Sequence, residues 1–286
     1  MASNPFVEFI RKTGFHPLKL IHIFVYGKFP GLYSRAISRI MTSAPRGVKV
    51  NLIQNYHGKV VGLGDARKII SVDRPVELRN LEKVIPYKNA RDLILASNGP
   101  IAAYECMCRS MQPHPCRPTD VCLVIGEPFA NGIASIQPKR ARLISREEAI
   151  EILEAEEKRG HIHTAFFKDI MLNRFYAICN CCRCCCGAMR ATVKYGLPMI
   201  APSGYVSSVS ENCNACGLCV EFCPFGAITM GEKRAVVDAG ECFGCGLCQT
   251  RCHADAVRLV KTPEKGEPLD IESLAAGAGV SRGAQR

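Results

Sequence analysis

Four things are missing from this sequence, and each absence removes a class of function. The opening, MASNPFVEFIRK, has no charged stretch leading into an apolar run and a small-residue cleavage site, so no secretory signal is expected. The longest apolar run near it, Leu18 to Tyr26, is broken by Lys19 and His22 and is too short to span a bilayer. There is no Gly-rich phosphate loop. The isolated GLGD at 62–65 has neither the spacing nor the context of one, which argues against flavin, nicotinamide and nucleotide sites. Basic clusters interleaved with aromatics are also absent, so nucleic acid is not an expected partner despite the formal net charge of +11.

These absences predict a cytoplasmic chain in a reducing compartment, and there patterned cysteines are metal ligands more often than disulfides. Cysteine is what the sequence has in excess: eighteen in 286 residues. With 48% apolar residues the chain can build a sizeable core without staples, so the thiols are not needed to replace one.

The most regular block lies near the C-terminus. CNACGLCVEFCP places Cys213, Cys216, Cys219 and Cys223 at C-x2-C-x2-C-x3-C spacing, and CFGCGLCQTRCH repeats it with Cys242, Cys245, Cys248 and Cys252. A tight C-x2-C-x2-C loop lets three thiolates converge on one iron–sulfur cube while its backbone N–H groups turn toward the sulfurs. Zinc, with two C-x2-C pairs per site, does not explain eight evenly repeated cysteines. Residues 206–262 resemble a bacterial-type two-[4Fe–4S] ferredoxin domain. That resemblance implies one cluster on Cys213, Cys216, Cys219 and Cys252, and a second on Cys242, Cys245, Cys248 and Cys223. His253 stands where proline usually follows the last cysteine, a departure that leaves all eight ligands in place. Each cluster with its thiolates carries about −2, so two bring the charge balance to roughly +7 and four to roughly +3.

Ten cysteines remain. Cys106, Cys108, Cys116 and Cys122 lie in YECMCRSMQPHPCRPTDVC, whose prolines make it an irregular loop. Cys179, Cys181, Cys182, Cys184, Cys185 and Cys186 crowd into ICNCCRCCC. One or two additional iron–sulfur centres are expected. The working grouping puts Cys106, Cys108, Cys116 and Cys122 at one, and Cys179, Cys182 and Cys185 with a neighbour at the other, with exchange between the sets open. A zinc site and buried free thiols are the competing readings. Together, the ECMCR and ICNCCRCCC segments and the C-terminal domain resemble a group of poorly characterised cysteine-rich iron–sulfur proteins of anaerobes. That resemblance implies redox work without naming a substrate.

The expected fold class is α+β. A ferredoxin-like two-cluster domain of two short hairpins and short helices (206–262) is appended to a larger mixed α/β cysteine-rich module (46–205). A basic amphipathic segment (1–45) precedes the module and a mobile tail (263–286) follows the domain. GVKVNLI (47–53), GKVVGL (58–63), KIISV (68–72) and VCLVIG (121–126) read as strands. SREEAIEILEAEEKRG reads as a helix capped by Ser145 with Glu148 at N3 and stopped by Gly160. The first 50 residues hold eight Lys/Arg against one acid, Glu8. They offer a surface to the protein's own core, a partner subunit or an anionic membrane, although Gly27, Pro30 and Gly31 break the segment in two. His161 and His163 can ligate a cluster, donate to its sulfur or carry a proton, or they can be plain histidines on a half-buried strand.

The function expected first is electron transfer. Low-potential electrons would pass between redox partner proteins through two [4Fe–4S] clusters and further centres. A reductase with an open iron near Cys179–Cys186 is the second hypothesis, and an assembly factor or redox sensor the third.

Overall fold

The computed structural model describes residues 17–53, 56–78, 81, 84–85, 93–168, 171 and 174–281. The first sixteen residues of the basic segment lie outside them. Helices α1 (Pro17–Lys28) and α2 (Pro30–Ser43) follow, with Pro30 at the first position of α2, where its missing N–H costs nothing. The next two elements differ from the sequence expectation. GVKVNLI lies in helix α3 (Arg46–Ile53), with Val50 and Ile53 three apart on its inner side. KIISV is the end of helix α4 (Leu63–Ile70), which buries Ala66, Ile69 and Ile70. That i, i+3, i+4 spacing serves a helix, and the β-branched residues that suggested a strand fit it because packing overrides propensity.

Strand β1 (Tyr56–Val61) lies between these two helices. It is followed by the small pair β2 (Val76–Leu78) and β3 (Leu93–Leu95). Then come β4 (Ile101–Tyr104), short helix α5 (Met107–Ser110), β5 (Cys122–Ile125), helix α6 (Phe129–Ile136) and β6 (Ala141–Ile144). Helix α7 (Arg146–Lys158) starts as expected, with the Ser145 hydroxyl accepting from the Glu148 N–H at 3.1 Å, and Gly160 ends it at φ +82°. Strands β7 (Ile162–Lys168) and β8 (Arg174–Cys181) precede a short turn of helix, α8 (Gly187–Met189), that continues as a π-helical turn to Lys194. Strand β9 (Ile200–Ala201) closes the module.

Seven of these strands form one sheet in the order β6-β4-β5-β8-β7-β1-β9, antiparallel except for β1 with β9. All of β7 is buried, so no alternation betrays it in the sequence. One face of the sheet packs on α4 and α7 through Phe167, Phe175, Ile178, Ile69 and Leu153. The other face carries Val60, Val124, Phe166, Ala177 and Cys181. It shares one continuous core with Phe225, Ile228, Leu247 and Val257 of the C-terminal region.

In that region, β10 (Tyr205–Val209), α9 (Leu218–Phe222), β11 (Ile228–Met230), β12 (Ala235–Val237), α10 (Leu247–Thr250) and β13 (Val257–Lys261) form two antiparallel pairs. Only β11 with β12 is a hairpin; β10 and β13 join the two ends of the domain. The expected mobile tail is packed as far as it is described. Leu269 and Ile271 are buried in the core under α4 and α7, and Asp270 accepts from Lys68 at 3.2 Å. Helix α11 (Ile271–Ser281) follows. Its Leu274 and Ala275 pack against the same core. No helix among the described residues is long and apolar enough to cross a membrane.

Candidate metal centres

The 29-residue repeat of the C-terminal cysteines is also a repeat of backbone conformation. Ala215 and Gly244, Gly217 and Gly246, and Gly226 and Asp255 all have positive φ. These left-handed residues turn each C-x2-C loop so that consecutive N–H groups point inward. At Gly244 any side chain is excluded, since a Cβ would stand 2.2 Å from the Tyr205 carbonyl oxygen. The Ala227 N–H donates to Cys223 Sγ at 3.3 Å, and the Ala256 N–H, 29 residues on, donates to Cys252 Sγ at 3.2 Å. The thiols gather in two groups across the repeat. Cys219 sits among Cys213, Cys216 and Cys252, whereas Cys245 sits among Cys242, Cys248 and Cys223. Burial, with the neighbouring thiols adding, raises Cys248 to about 11 despite a hydrogen bond from Ser207. A cation offsets that burial penalty, which suits Cys248 to cluster iron.

The ten remaining cysteines divide differently from the working grouping. Strands β5 and β8 put Cys122, Cys179 and Cys181 on the sheet face away from α7. Cys106 and Cys108 reach them from the start of α5, and Cys186 from the start of α8. An unbroken chain of thiol–thiol contacts runs Cys181, Cys186, Cys108, Cys106, Cys122, Cys179. Hydrogen bonds with Cys108 and Cys122 push the Cys106 thiol well up, and those with Cys108 and Cys181 do the same to Cys186. Cys108 alone is pulled well down, by Cys106, Cys186 and the Gly187 N–H at 3.4 Å. An iron–sulfur centre would offset the burial that opposes charge here and let its ligands ionise together. Six thiols exceed the four that a single cube takes.

Cys116 leaves the group assigned to it. It joins Cys182, Cys184 and Cys185, and the four sulfurs lie within 4.8 Å of one another. Period-three counting missed this division because β8 continues through Cys181. Extended backbone carries Cys179 and Cys181 on one face, and the turn beyond sends Cys182, Cys184 and Cys185 elsewhere.

Two further sets of residues adjoin the six thiols, and spacing signals neither. The first is a group of tyrosines. A β-bulge, where Phe166 and Phe167 of β7 face Ala177 and Phe175 of β8, gives Tyr176 an extra place and turns it toward the cysteine face. Its hydroxyl meets those of Tyr26 and Tyr56 beside Cys179, and burial raises all three phenols. Tyr56 stacks on Phe166 at 4.8 Å, which the bare Gly58 permits, since a Cβ there would come within 2.7 Å of Thr164. The Lys168 ammonium lies over the Tyr26 ring, 3.6 Å from its centre.

The second set is ionic and lies on the opposite face. Arg109 and Glu156, both 0% exposed, form a buried ion pair. Arg109 also donates to the carbonyls of Pro118 at 2.6 Å and Asn180 at 2.9 Å, which ties the cysteine loop to α7 and β8. Burial is the largest influence on each and opposes both charges, but the partners together outweigh it: Glu156 and nearby thiols raise Arg109, and His161 with Arg109 lowers Glu156. His161 Nδ1 lies 2.7 Å from Glu156, and His163 Nδ1 donates to Asn180 Oδ1 at 2.7 Å. Burial lowers His163 to about 4 against the Asn180 hydrogen bond, so the ring is neutral near pH 7 with its one N–H held by Asn180. Both histidines are bound into this scaffold.

A family model described as 4Fe-4S dicluster domain matches residues 212–256. Ferredoxin-1 of Caulobacter vibrioides is 36% identical over 52 residues, covering 18% of this chain and 46% of that protein. DNA-directed RNA polymerase subunit Rpo3 of Methanosarcina acetivorans is 40% identical over 52 residues, covering 17% of this chain and 20% of the relative. The chain thus spans less than half the length of these curated relatives. Set beside the repeated loops and their gathered thiols, the match identifies residues 212–256 as a 4Fe-4S dicluster domain with [4Fe–4S] clusters as its cofactors.

Proposed function

We propose that this chain is an iron–sulfur electron-transfer protein. Electrons pass through the two clusters of the dicluster domain to a third centre held by four or more of Cys106, Cys108, Cys122, Cys179, Cys181 and Cys186. The observation that carries this reading is the shared core. Cys181 and Cys186 of the module, and Cys223, Cys242 and Cys248 of the domain, belong to one continuous packed cluster of side chains. Within each cube group the crossed arrangement seats Cys223 in the second cluster and Cys252 in the first. Each cluster takes one electron at a potential set by burial and hydrogen bonds to sulfur, so neighbouring centres form a relay. The donor and acceptor are redox partner proteins.

The test is anaerobic purification with iron and acid-labile sulfide counts, followed by reductive titration under electron paramagnetic resonance. At least about 12 Fe per chain and a third signal are expected. A Cys108→Ser, Cys122→Ser variant should lose that third signal and keep the two ferredoxin signals. About 8 Fe with two signals would overturn the relay.

The tyrosine group supports a second reading, that of a reductase. Three phenol hydroxyls beside Cys179, with Lys168 over the Tyr26 ring, form an array that can supply protons to a substrate reduced at an open iron. Substrate-dependent turnover by the chain with only a chemical reductant, lost in Tyr176→Phe, would favour this reading; none across candidate substrates would leave the relay.

A further inference from the structure

We propose that Cys116, Cys182, Cys184 and Cys185 bind one tetrahedral metal ion, zinc or iron, and not an iron–sulfur cube. The spacing of the sulfurs carries the assignment. Cys116 Sγ and Cys184 Sγ are 3.0 Å apart, Cys184 Sγ and Cys185 Sγ 3.5 Å, and all four lie within 4.8 Å of one another. Four sulfurs at 2.3 Å from a single tetrahedral ion stand about 3.8 Å apart. Four thiolates on a cube stand roughly 6 Å apart, because each has its own iron. The chain supplies its own standard. Among the described residues, no other three metal-ligating side chains are drawn in so closely, although all eight cysteines of the dicluster domain are described. The six-thiol set is likewise too open to qualify.

The donor set indicates what the ion does. Four thiolates fill a tetrahedral shell and leave no open position, as in structural zinc sites. Cys182 and Cys185 are buried, and Cys184 is exposed at the rim. Cys116 comes from the loop between α5 and β5, and the other three from the turn after β8. Those segments also carry the six-thiol centre: Cys106, Cys108 and Cys122 flank Cys116, and Cys181 and Cys186 flank the triplet. One ion therefore ties the two segments together and sets the position of the neighbouring centre. Binding releases the thiol protons and involves no electron transfer.

The test uses the full chain purified without oxygen, with zinc, iron and acid-labile sulfide measured together. One ion per chain beyond the sulfide-matched iron is expected, as zinc or as iron without sulfide. A Cys116→Ser, Cys184→Ser variant should lose that ion while the domain's cluster iron and sulfide remain. Chain produced with cobalt(II) should show the visible bands of a tetrahedral thiolate site, absent from the variant. Should the double variant fail to fold, Cys184→His keeps four ligands and should retain the ion with shifted cobalt bands. Loss of about four iron and four sulfide with Cys116 and Cys184 would show a cube and overturn the proposal. An unchanged metal content would overturn it as well. The ion count stands apart from the relay, since one extra ion can accompany either two or three clusters.

Discussion

At the residue scale, the crossed grouping of thiols has a direct consequence. Cys223 belongs to the first motif by sequence but sits with Cys242, Cys245 and Cys248 of the second. Cys223→Ser should therefore perturb the cluster of the second motif and leave that on Cys213, Cys216 and Cys219 intact. Resonance spectra of the reduced variant should show one unchanged signal and one altered or missing; two unchanged signals would reject the crossing. A second residue, Arg109, carries the buried scaffold under the cysteine loop. Arg109→Met removes the buried cation of Glu156 and leaves it His161 at 2.7 Å and the half-exposed Arg159 at 2.9 Å, so it should destabilise the fold by about 3 kcal/mol, measured by anaerobic denaturant titration. Restoring stability with a second change, Glu156→Gln, would show that the under-compensated charge is the cause. The eight domain cysteines were legible because their spacing is local and repeated: three residues of one loop meet one centre, and the fourth comes from the other copy of the repeat. Arg109 and the tyrosines were not, because their partners lie far along the chain, Arg109 to Glu156 and Tyr26 to Tyr176.

At the scale of elements, legibility follows the same division. Helix α7 was readable from end to end because its cap, charges and stop are all contiguous. Helices α3 and α4 were misread as strands since their β-branched residues carry a weak preference that tertiary packing reverses. Strand β1 was found, but its buried Lys59 was not remarkable in sequence. It is 1% exposed, and burial lowers it to about 8 against the pull of Glu267. Between pH 8 and 10.5 the folded chain has lost a proton that the unfolded chain still holds, so stability rises with pH across that window. Below pH 8 both states are charged, and the buried ammonium weakens the fold. Lys59→Met should therefore stabilise the protein at pH 7 by about 3 kcal/mol and flatten the rise above pH 8. Glu267 keeps its 2.8 Å bridge to Lys261 in that variant. Thermal melts at pH 7, 8 and 9 under argon measure both effects; an unchanged pH slope would mean that Lys59 reaches water.

At the scale of the whole molecule, two halves that look separable in sequence share a core and a polar seam. The seam lies where α7 ends. Phe222 of the dicluster domain approaches Gly160 closely enough that a Cβ there would stand 3.4 Å from its ring. Arg251 covers that ring at 4.1 Å and donates to the Glu157 carbonyl at 3.3 Å and to the Lys158 carbonyl. A guanidinium on the last carbonyls of a helix meets the negative end of its dipole, so this contact fixes the domain against the module. The Arg251 guanidinium is taken up by the Phe222 ring and these two carbonyls, so its removal should leave metal binding alone. Arg251→Ala should keep the full iron and sulfide content and both ferredoxin potentials. Reduction of the proposed third centre from the dicluster domain should nevertheless slow, as measured by freeze-quench after mixing with a low-potential reductant. A slowing that high salt does not reproduce in the wild type would point to the packed seam and not to long-range charge, because a contact under a ring is poorly screened. An unchanged rate would place the electron's route wholly through the apolar core around Phe225 and Phe243, whose rings stack at 4.2 Å.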